Sequence, residues 1–206
     1  MPTATATSTS NVITLKGSTE IVTEFFNYAI NSVLYQRGVY PSNLFKPEKK
    51  YGLTLLQSSD PALQDYLSQI LSQVRTWLLT GNVRKLVVVL SSVIDDSPLE
   101  RWVFDIEKDD SDPSSDGSSV QKSEKQIQSE IQAILRQITA SVTFLPLIDD
   151  PVTFELLCYT SNDTEIPSLW QESNPKLINS AQEVKLRSFS TSVHRIGAEV
   201  SFRGEV

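Results

Sequence analysis

SEKQIQSEIQAILRQITASVTFLPL, residues 123–147, is the stretch from which the architecture is read. Its first half has the marks of a helix. Ser123 followed three residues later by Gln126 is a capping box: the serine oxygen accepts an orphan N–H, and the glutamine side chain returns to the serine backbone. Ile127, Ile131, Ile134, Leu135 and Ile138 then recur at helical spacing as one apolar stripe. From Thr139 the period becomes two. Ala140, Val142 and Phe144 alternate with Ser141, Thr143 and Leu145, which predicts a strand that Pro146 ends. Arg136 and Gln137 lie off the best apolar row, and spacing alone makes them a solvated helix face.

Toward the N-terminus, residues 1–11 are small and polar and are expected to form a flexible tail. Val12, Ile13 and Leu15 make a short apolar patch, read as a small strand. Gly17 and Ser18 open a helix in which Ile21, Val22, Phe25, Phe26, Ala29, Ile30, Val33 and Leu34 fall on one broad face. Gly38 and Pro41 end it near Arg37. Asp60 and Pro61 start a second helix that Gly81 closes. The β-branched run Leu86–Leu90 suits a strand buried on both faces. Trp102, Phe104 and Ile106 alternate, so 86–94 and 99–106 read as a hairpin. Residues 107–122 are acidic and serine-rich, and are expected to form a loop.

Toward the C-terminus, Val152, Phe154, Leu156 and Cys158 alternate with Thr153, Glu155, Leu157 and Tyr159, another strand. Residues 160–182 read as irregular. Residues 183–202 read as two short strands, with Gly197 at a turn or bulge. Three helices interleaved with six or more strands, without regular βα alternation, predict an α+β fold with helices packed on a mixed or antiparallel sheet.

Composition narrows the function. The chain has 206 residues and a net charge of −7, which disfavours nucleic acid and anionic membrane surfaces. No apolar run is long enough to span a bilayer. The N-terminus has no secretory pattern, so nucleus or cytosol is the expected setting. A single cysteine, Cys158, excludes an internal disulfide and a cysteine-rich metal site. The lone histidine, His194, has no nucleophile elbow to serve and reads as a partly buried imidazole. Asp109, Asp110 and Asp112 lack the glycine and terminal glutamate of a calcium loop. No phosphate-cradling motif is present. A binding protein without catalytic residues, cofactor or metal is the expectation.

Six blocks then carry a resemblance: GSTEIVTEFFNYAINSVLYQRGVYP (17–41), KYGLTLL (50–56), KLVVVLSS (85–92), LERWVFDIE (99–107), ILRQITASVTFLPL (134–147) and EVKLRSFSTSVH (183–194). In this order they closely resemble the HORMA domain of spindle-assembly-checkpoint proteins, over about Ile13 to Ile196. The N-terminal tail and the final GAEVSFRGEV depart from the family pattern. The resemblance implies a HORMA domain over 12–206, with a mobile safety belt from about 161 to 206. A partner peptide would add as a strand at Phe154, Glu155, Leu156, Leu157, Cys158 and Tyr159, and the belt would close over it. Trp170, Val184, Leu186, Phe189 and His194 fall in that belt.

Two conformers are implied as well. In the open one the C-terminal hairpin occupies the ligand's place, and Leu15 is an anchor of that state. In the closed one the hairpin moves to the place that strand vacates. The resemblance turns Arg136 and Gln137, with Phe144 nearby, into the interface of an open–closed self-dimer. The implied partners are the anaphase-promoting-complex activator, a kinetochore coiled-coil anchor, the checkpoint kinase-related subunit of the mitotic checkpoint complex, and a remodelling ATPase with its adaptor. Nucleus, kinetochore and cytoplasm are the implied locations. The rivals are another HORMA adaptor, such as a translesion-polymerase accessory subunit, and an unrecognised hydrolase.

Overall fold

Thr14 accepts the Gly17 N–H at 3.2 Å, and this cap starts α1 (Leu15–Gln36) two residues before the glycine. The computed structural model describes residues 13–108 and 122–204. Ile13 and Leu15 therefore do not form the expected strand: Leu15 is the half-buried first residue of a helix, and Val12 lies outside the described residues. Gly38, at φ +65°, follows the end of α1.

β1 (Phe45–Lys50) and β2 (Leu53–Ser58) then form an antiparallel hairpin that the alternation does not announce. Pro47 and Lys46, Lys49 and Lys50 hide β1, of which only Phe45 is buried. The turn is legible once seen. Tyr51 and Gly52 both take positive φ, at 51° and 67°, the two-residue turn whose twist suits a hairpin.

α2 (Pro61–Thr80) starts where Asp60 accepts the Leu63 N–H at 2.8 Å, and ends at Gly81 with φ +73°. β3 (Val83–Ser92) and β4 (Pro98–Lys108) are the expected hairpin, with Glu107 and Lys108 still in the strand rather than in the loop. Asp109, Asp110 and Asp112 lie outside the described residues.

α3 (Glu124–Ala140) begins at the capping box formed by Ser123 and Gln126. The strand predicted over 139–145 is absent. The helix runs to Ala140 and tightens into a 3₁₀ turn over Ser141–Thr143. Thr139, Ser141 and Thr143 donate their hydroxyls to the Leu135, Ile138 and Ala140 carbonyls at 2.6–2.9 Å. Local bonds thus satisfy a helix end that alternation alone reads as extended.

β5 (Val152–Thr160) is the predicted strand. The C-terminal part holds three strands, not two: β6 (Gln182–Lys185), β7 (Phe189–Ser190) and β8 (His194–Phe202). Gly197 is neither turn nor bulge. It pairs with Asp105 within regular ladder register.

The six-stranded sheet runs β5-β3-β4-β8-β6, with β7 also on β8, and all its ladders are antiparallel. The helices cover one face. Phe25, Phe26, Phe104 and Phe189 meet there with ring centroids 4.9–5.8 Å apart. Burying each such side chain contributes about 1.5–3 kcal/mol. On the other face Val87, Val89 and Val103 are buried beside Leu157 and Tyr159, so β3 is covered on both sides as its run of valines predicts.

Two buried polar groups tie distant parts of the chain together. The Arg37 guanidinium donates to Glu100 at 2.8 Å through Nε and to the Pro146 carbonyl at 2.6 Å through Nη2, while Trp102 Nε1 donates to Glu100 at 3.2 Å. Burial raises the Glu100 pKa, and Arg37 partly offsets that rise. At the start of β8, His194 Nδ1 lies 2.7 Å from Ser18 Oγ, which in turn lies 2.6 Å from Thr191 Oγ1. His194 Nε2 turns toward the Leu78 backbone without a hydrogen bond of ordinary geometry. The C-terminal hairpin is thereby fastened to the first turn of α1.

Arg37→Met leaves Glu100 buried without its cation, and should lower the unfolding free energy by about 3–5 kcal/mol in urea titration. Combining it with Glu100→Leu should recover most of that loss. An unchanged midpoint in the single variant contradicts the role given to the pair. His194 supplies a pH test. Burial, with Lys108 nearby, lowers its pKa from 6.5, so the unfolded chain binds the proton more readily. The stability this provides is complete above about pH 6.5 and is lost as pH falls through the depressed folded value. His194→Gln should flatten stability between pH 7 and 5. Equal slopes in both chains would remove His194 as the cause.

Candidate functional site

The sheet ends at β5. One side of this strand is paired along its length, Val152–Thr160 against Ser92–Val83 of β3, and no described strand lies on the other. An edge presents unpaired N–H and C=O groups, which proteins usually blunt with proline, lysine or brevity. β5 uses none of these: it has nine residues, no proline and no lysine. Phe154, Leu156 and Cys158 share the face packed under the helices, while Glu155, Leu157 and Tyr159 share the other. Phe154 sits against Tyr40 and Tyr66, with ring centroids 6.1 and 5.8 Å away. The Tyr66 hydroxyl faces the Leu156 backbone, and burial raises its pKa. Burial also pushes the Cys158 thiol up to about 12, so at neutral pH it is a small apolar group and no nucleophile.

Residues 161–181 form neither helix nor strand, and contacts with Asn82, Trp77, Asp96 and Glu155 carry them past this edge as a strap. The strap leaves β5 where the Ser161 N–H donates to the Asn82 carbonyl at 2.8 Å. Midway, Trp170 stacks at a steep angle on Trp77 of α2, with centroids 4.9 Å apart. At its far end Lys176 Nζ reaches Asp96 in the β3–β4 turn at 2.6 Å and Glu155 of β5 at 3.5 Å. The chain then crosses the end of the sheet. Gln182 of β6 faces Phe202, in the same row as Glu100, Leu90 and Phe154.

Lengths show what the strap can accommodate. From Thr160 back to Glu155 is about 17 Å of strand. The fifteen steps from 161 to 176 reach about 50 Å when extended. The excess is enough to arch over one more strand, which would lie about 4.8 Å from β5. Among the described residues no backbone bond joins 162–181 to β5. Ile166, Leu169 and Leu177 are apolar yet exposed.

The residues singled out from the sequence separate into three places. Phe154 to Tyr159 form the middle of the free edge, with Trp170 on the strap beside it. Val184, Leu186, Phe189 and His194 lie across the sheet at the C-terminal hairpin. There the Leu186 N–H donates to the Ala198 carbonyl and Phe189 fills the core. Arg136, Gln137 and Phe144 lie at the C-terminal end of α3 and the turn after it. Arg136 is exposed, Phe144 is 42% exposed, and Gln137 Oε1 accepts the Arg187 N–H at 2.6 Å. Leu15 opens α1, three residues before Ser18. Sequence reasoning missed the contact of Lys176 with Asp96 and the packing of Tyr40 on Phe154. Both join residues far apart in the chain, and no local pattern marks either. Among the described residues no group of histidine, cysteine, aspartate and glutamate has the geometry of a metal site.

The HORMA domain family matches residues 18–194. The chain is 51% identical to "Mitotic spindle assembly checkpoint protein MAD2A" of Dictyostelium discoideum, over 98% of each protein. It is 48% identical to the Homo sapiens protein of the same name, over 93% of each. A solved chain from "Crystal Structure of Mitotic Checkpoint Complex" superposes with a TM-score of 0.83 at 42% identity, covering 91% of this chain and 99% of that one. A free sheet edge under a long strap, a family match over most of the length and these near-complete likenesses lead to one assignment: the chain belongs to the HORMA-domain family, among its mitotic spindle checkpoint proteins.

Proposed function

We propose that this chain is a spindle-assembly-checkpoint protein that captures a peptide of the anaphase-promoting-complex activator by strand addition on β5, and so delays anaphase. The unpaired nine-residue edge beneath a strap with length to spare carries this reading. A peptide strand laid on β5 gains backbone hydrogen bonds along the edge, and its alternate side chains face the helix side and the outer face in turn. The strap adds a topological constraint: the peptide leaves only when the strap opens, so release is slow whatever area is buried.

On this reading the chain is in its closed conformer. The C-terminal strands lie on β4, on the far side of the sheet from the ligand edge, and β5 is left for a partner. A kinetochore coiled-coil anchor would present a second peptide of the same class to the same edge. Arg136, Gln137 and Phe144 would form the surface on which an open copy docks; the exposure of Arg136 and Phe144 supports this, since an arginine fork and an aromatic ring are common interface anchors. The checkpoint kinase-related subunit would join the loaded complex, and a remodelling ATPase with its adaptor would reset the closed form. Action would then take place at the kinetochore and in the surrounding nucleus and cytoplasm. Binding, not catalysis, is the activity, and near full-length likeness to checkpoint relatives favours this reading over a translesion adaptor.

The test is the concentration dependence of capture. Strap opening is a first-order step, so the association rate of a labelled activator-derived peptide with the full chain should level off as peptide concentration rises. Release into excess unlabelled peptide should take many minutes. A rate that climbs linearly to the highest concentration, with release in seconds, would sink strap-gated capture.

A further inference from the structure

The strap touches the body of the protein at few points, and one of them is built differently from the rest. Between residues 162 and 181, the polar contacts with the body among the described residues are those of Lys176 alone. Its ammonium sits between two carboxylates on separate elements, Asp96 in the β3–β4 turn at 2.6 Å and Glu155 on the ligand edge at 3.5 Å. The Lys176 side chain is only 14% exposed, whereas Asp96 is 70% exposed. The backbone of Lys176 is held in the left-handed region, at φ +49°, where a side chain is disfavoured. The Asn174 carboxamide steadies that conformation by accepting the Lys176 N–H at 3.0 Å. Asp96 is itself left-handed, at φ +56°. Its hydrogen bond to Asp96, then the charges of Glu155 and Asp96, raise the Lys176 pKa, so the cation persists across the physiological range.

Position gives this contact its consequence. The strap enters at the Thr160 end of β5 through Ser161 and Asn82, and Lys176 fastens it at the opposite end, beside Glu155. A strand lying on β5 would be enclosed between the two fastenings. The covalent chain holds the first one whatever else happens. The second is held by the ionic contacts of Lys176, short of the β6–β8 ladder that begins at Gln182.

We propose that Lys176 is the releasable clasp of the strap, and that its pairing with Asp96 and Glu155 sets how long a peptide stays enclosed. This rests on the reading of β5 and the strap as a capture site. Lys176 is a positioning residue: it acts on the ligand through the strap, not by touching it.

The experiment compares the full chain with Lys176→Gln, Lys176→Arg and Asp96→Asn. The labelled activator-derived peptide is the probe, and release is followed in excess unlabelled peptide. Amide hydrogen exchange over 165–181 is followed in the ligand-free chains. Lys176→Gln should speed release about three- to tenfold, in line with two partly exposed ion pairs. It should raise the plateau of the association rate by a similar factor and speed exchange across 170–181. Asp96→Asn should give part of the effect, and Lys176→Arg should restore slow release. Salt should speed release from the parent chain and have little effect on the glutamine variant, because the Asp96 side of the clasp is open to solvent. If the parent chain captures slowly and Lys176→Gln releases at the same rate, the clasp is overturned while strap capture stands. If the parent chain shows no gated capture, the reading of the edge fails on its own. Exchange over 170–181 then judges the clasp, and equal exchange in parent and variant would overturn it.

Discussion

An unpaired backbone edge is the constraint on which the rest of this structure turns. Each N–H and C=O on the outer side of β5 needs a partner, from water or from another chain. Most proteins cover such an edge or disfigure it. Here β5 is long, largely apolar and free of proline, and it is anchored to β3, a strand buried on both sides. The edge is thus rigid and ready to pair. A bare edge of this kind invites indiscriminate association. The strap would answer that hazard on the proposed reading, lying over the edge with length enough for one strand beneath it.

The far side of the same sheet is where the second packing implied by the resemblance would be exchanged for this one. β8 pairs with β4 over nine residues, His194 with Lys108 through to Phe202 with Glu100, and buries Ile196, Val200 and Phe202 in the main core. The chain's N-terminal segment comes close to this C-terminal hairpin. Ile13 accepts the Ser192 hydroxyl through its carbonyl, and Ser18 meets His194 and Thr191 within the core. A switch that exchanged the N-terminal segment for the hairpin would have to break these few polar contacts and rebury a handful of large side chains. Both arrangements would satisfy the same β4 edge, and the open one implied by the resemblance would also cover β5, an edge that a captured peptide pairs in the closed one. Differential binding of about 5.5 kcal/mol is enough to invert such an equilibrium.

Much of this is legible in the sequence. The helices are marked by caps whose chemistry is local: Asp60 before Pro61, Ser123 with Gln126, Gly38 and Gly81 at the ends. The edge strand shows in the alternation from Val152 to Tyr159, although nothing in that pattern says it is an edge; strand order is a property of the whole sheet. Misreadings arose where local bonds override period. Three hydroxyls after Leu135 keep 139–143 helical despite the alternation, and the Thr14 hydroxyl starts α1 before the glycine. The β1–β2 hairpin escaped because its outer strand is lysine-rich and carries Pro47. The strap contacts are beyond the reach of the sequence, since Lys176 and Asp96 are 80 positions apart and no local pattern joins them. Arg136 and Gln137 show the opposite case: spacing makes them surface, and only a resemblance over long blocks gives that surface a role.

The most direct test of the account is amide hydrogen exchange along β5, with and without a bound activator-derived peptide. Alternate amides between 153 and 159 point away from β3 and should exchange readily in the free protein. On capture they should become protected, and the protection should last as long as the peptide stays bound. Exchange over 153–159 that is unchanged by saturating peptide, with protection appearing elsewhere such as α3, would contradict strand addition at this edge.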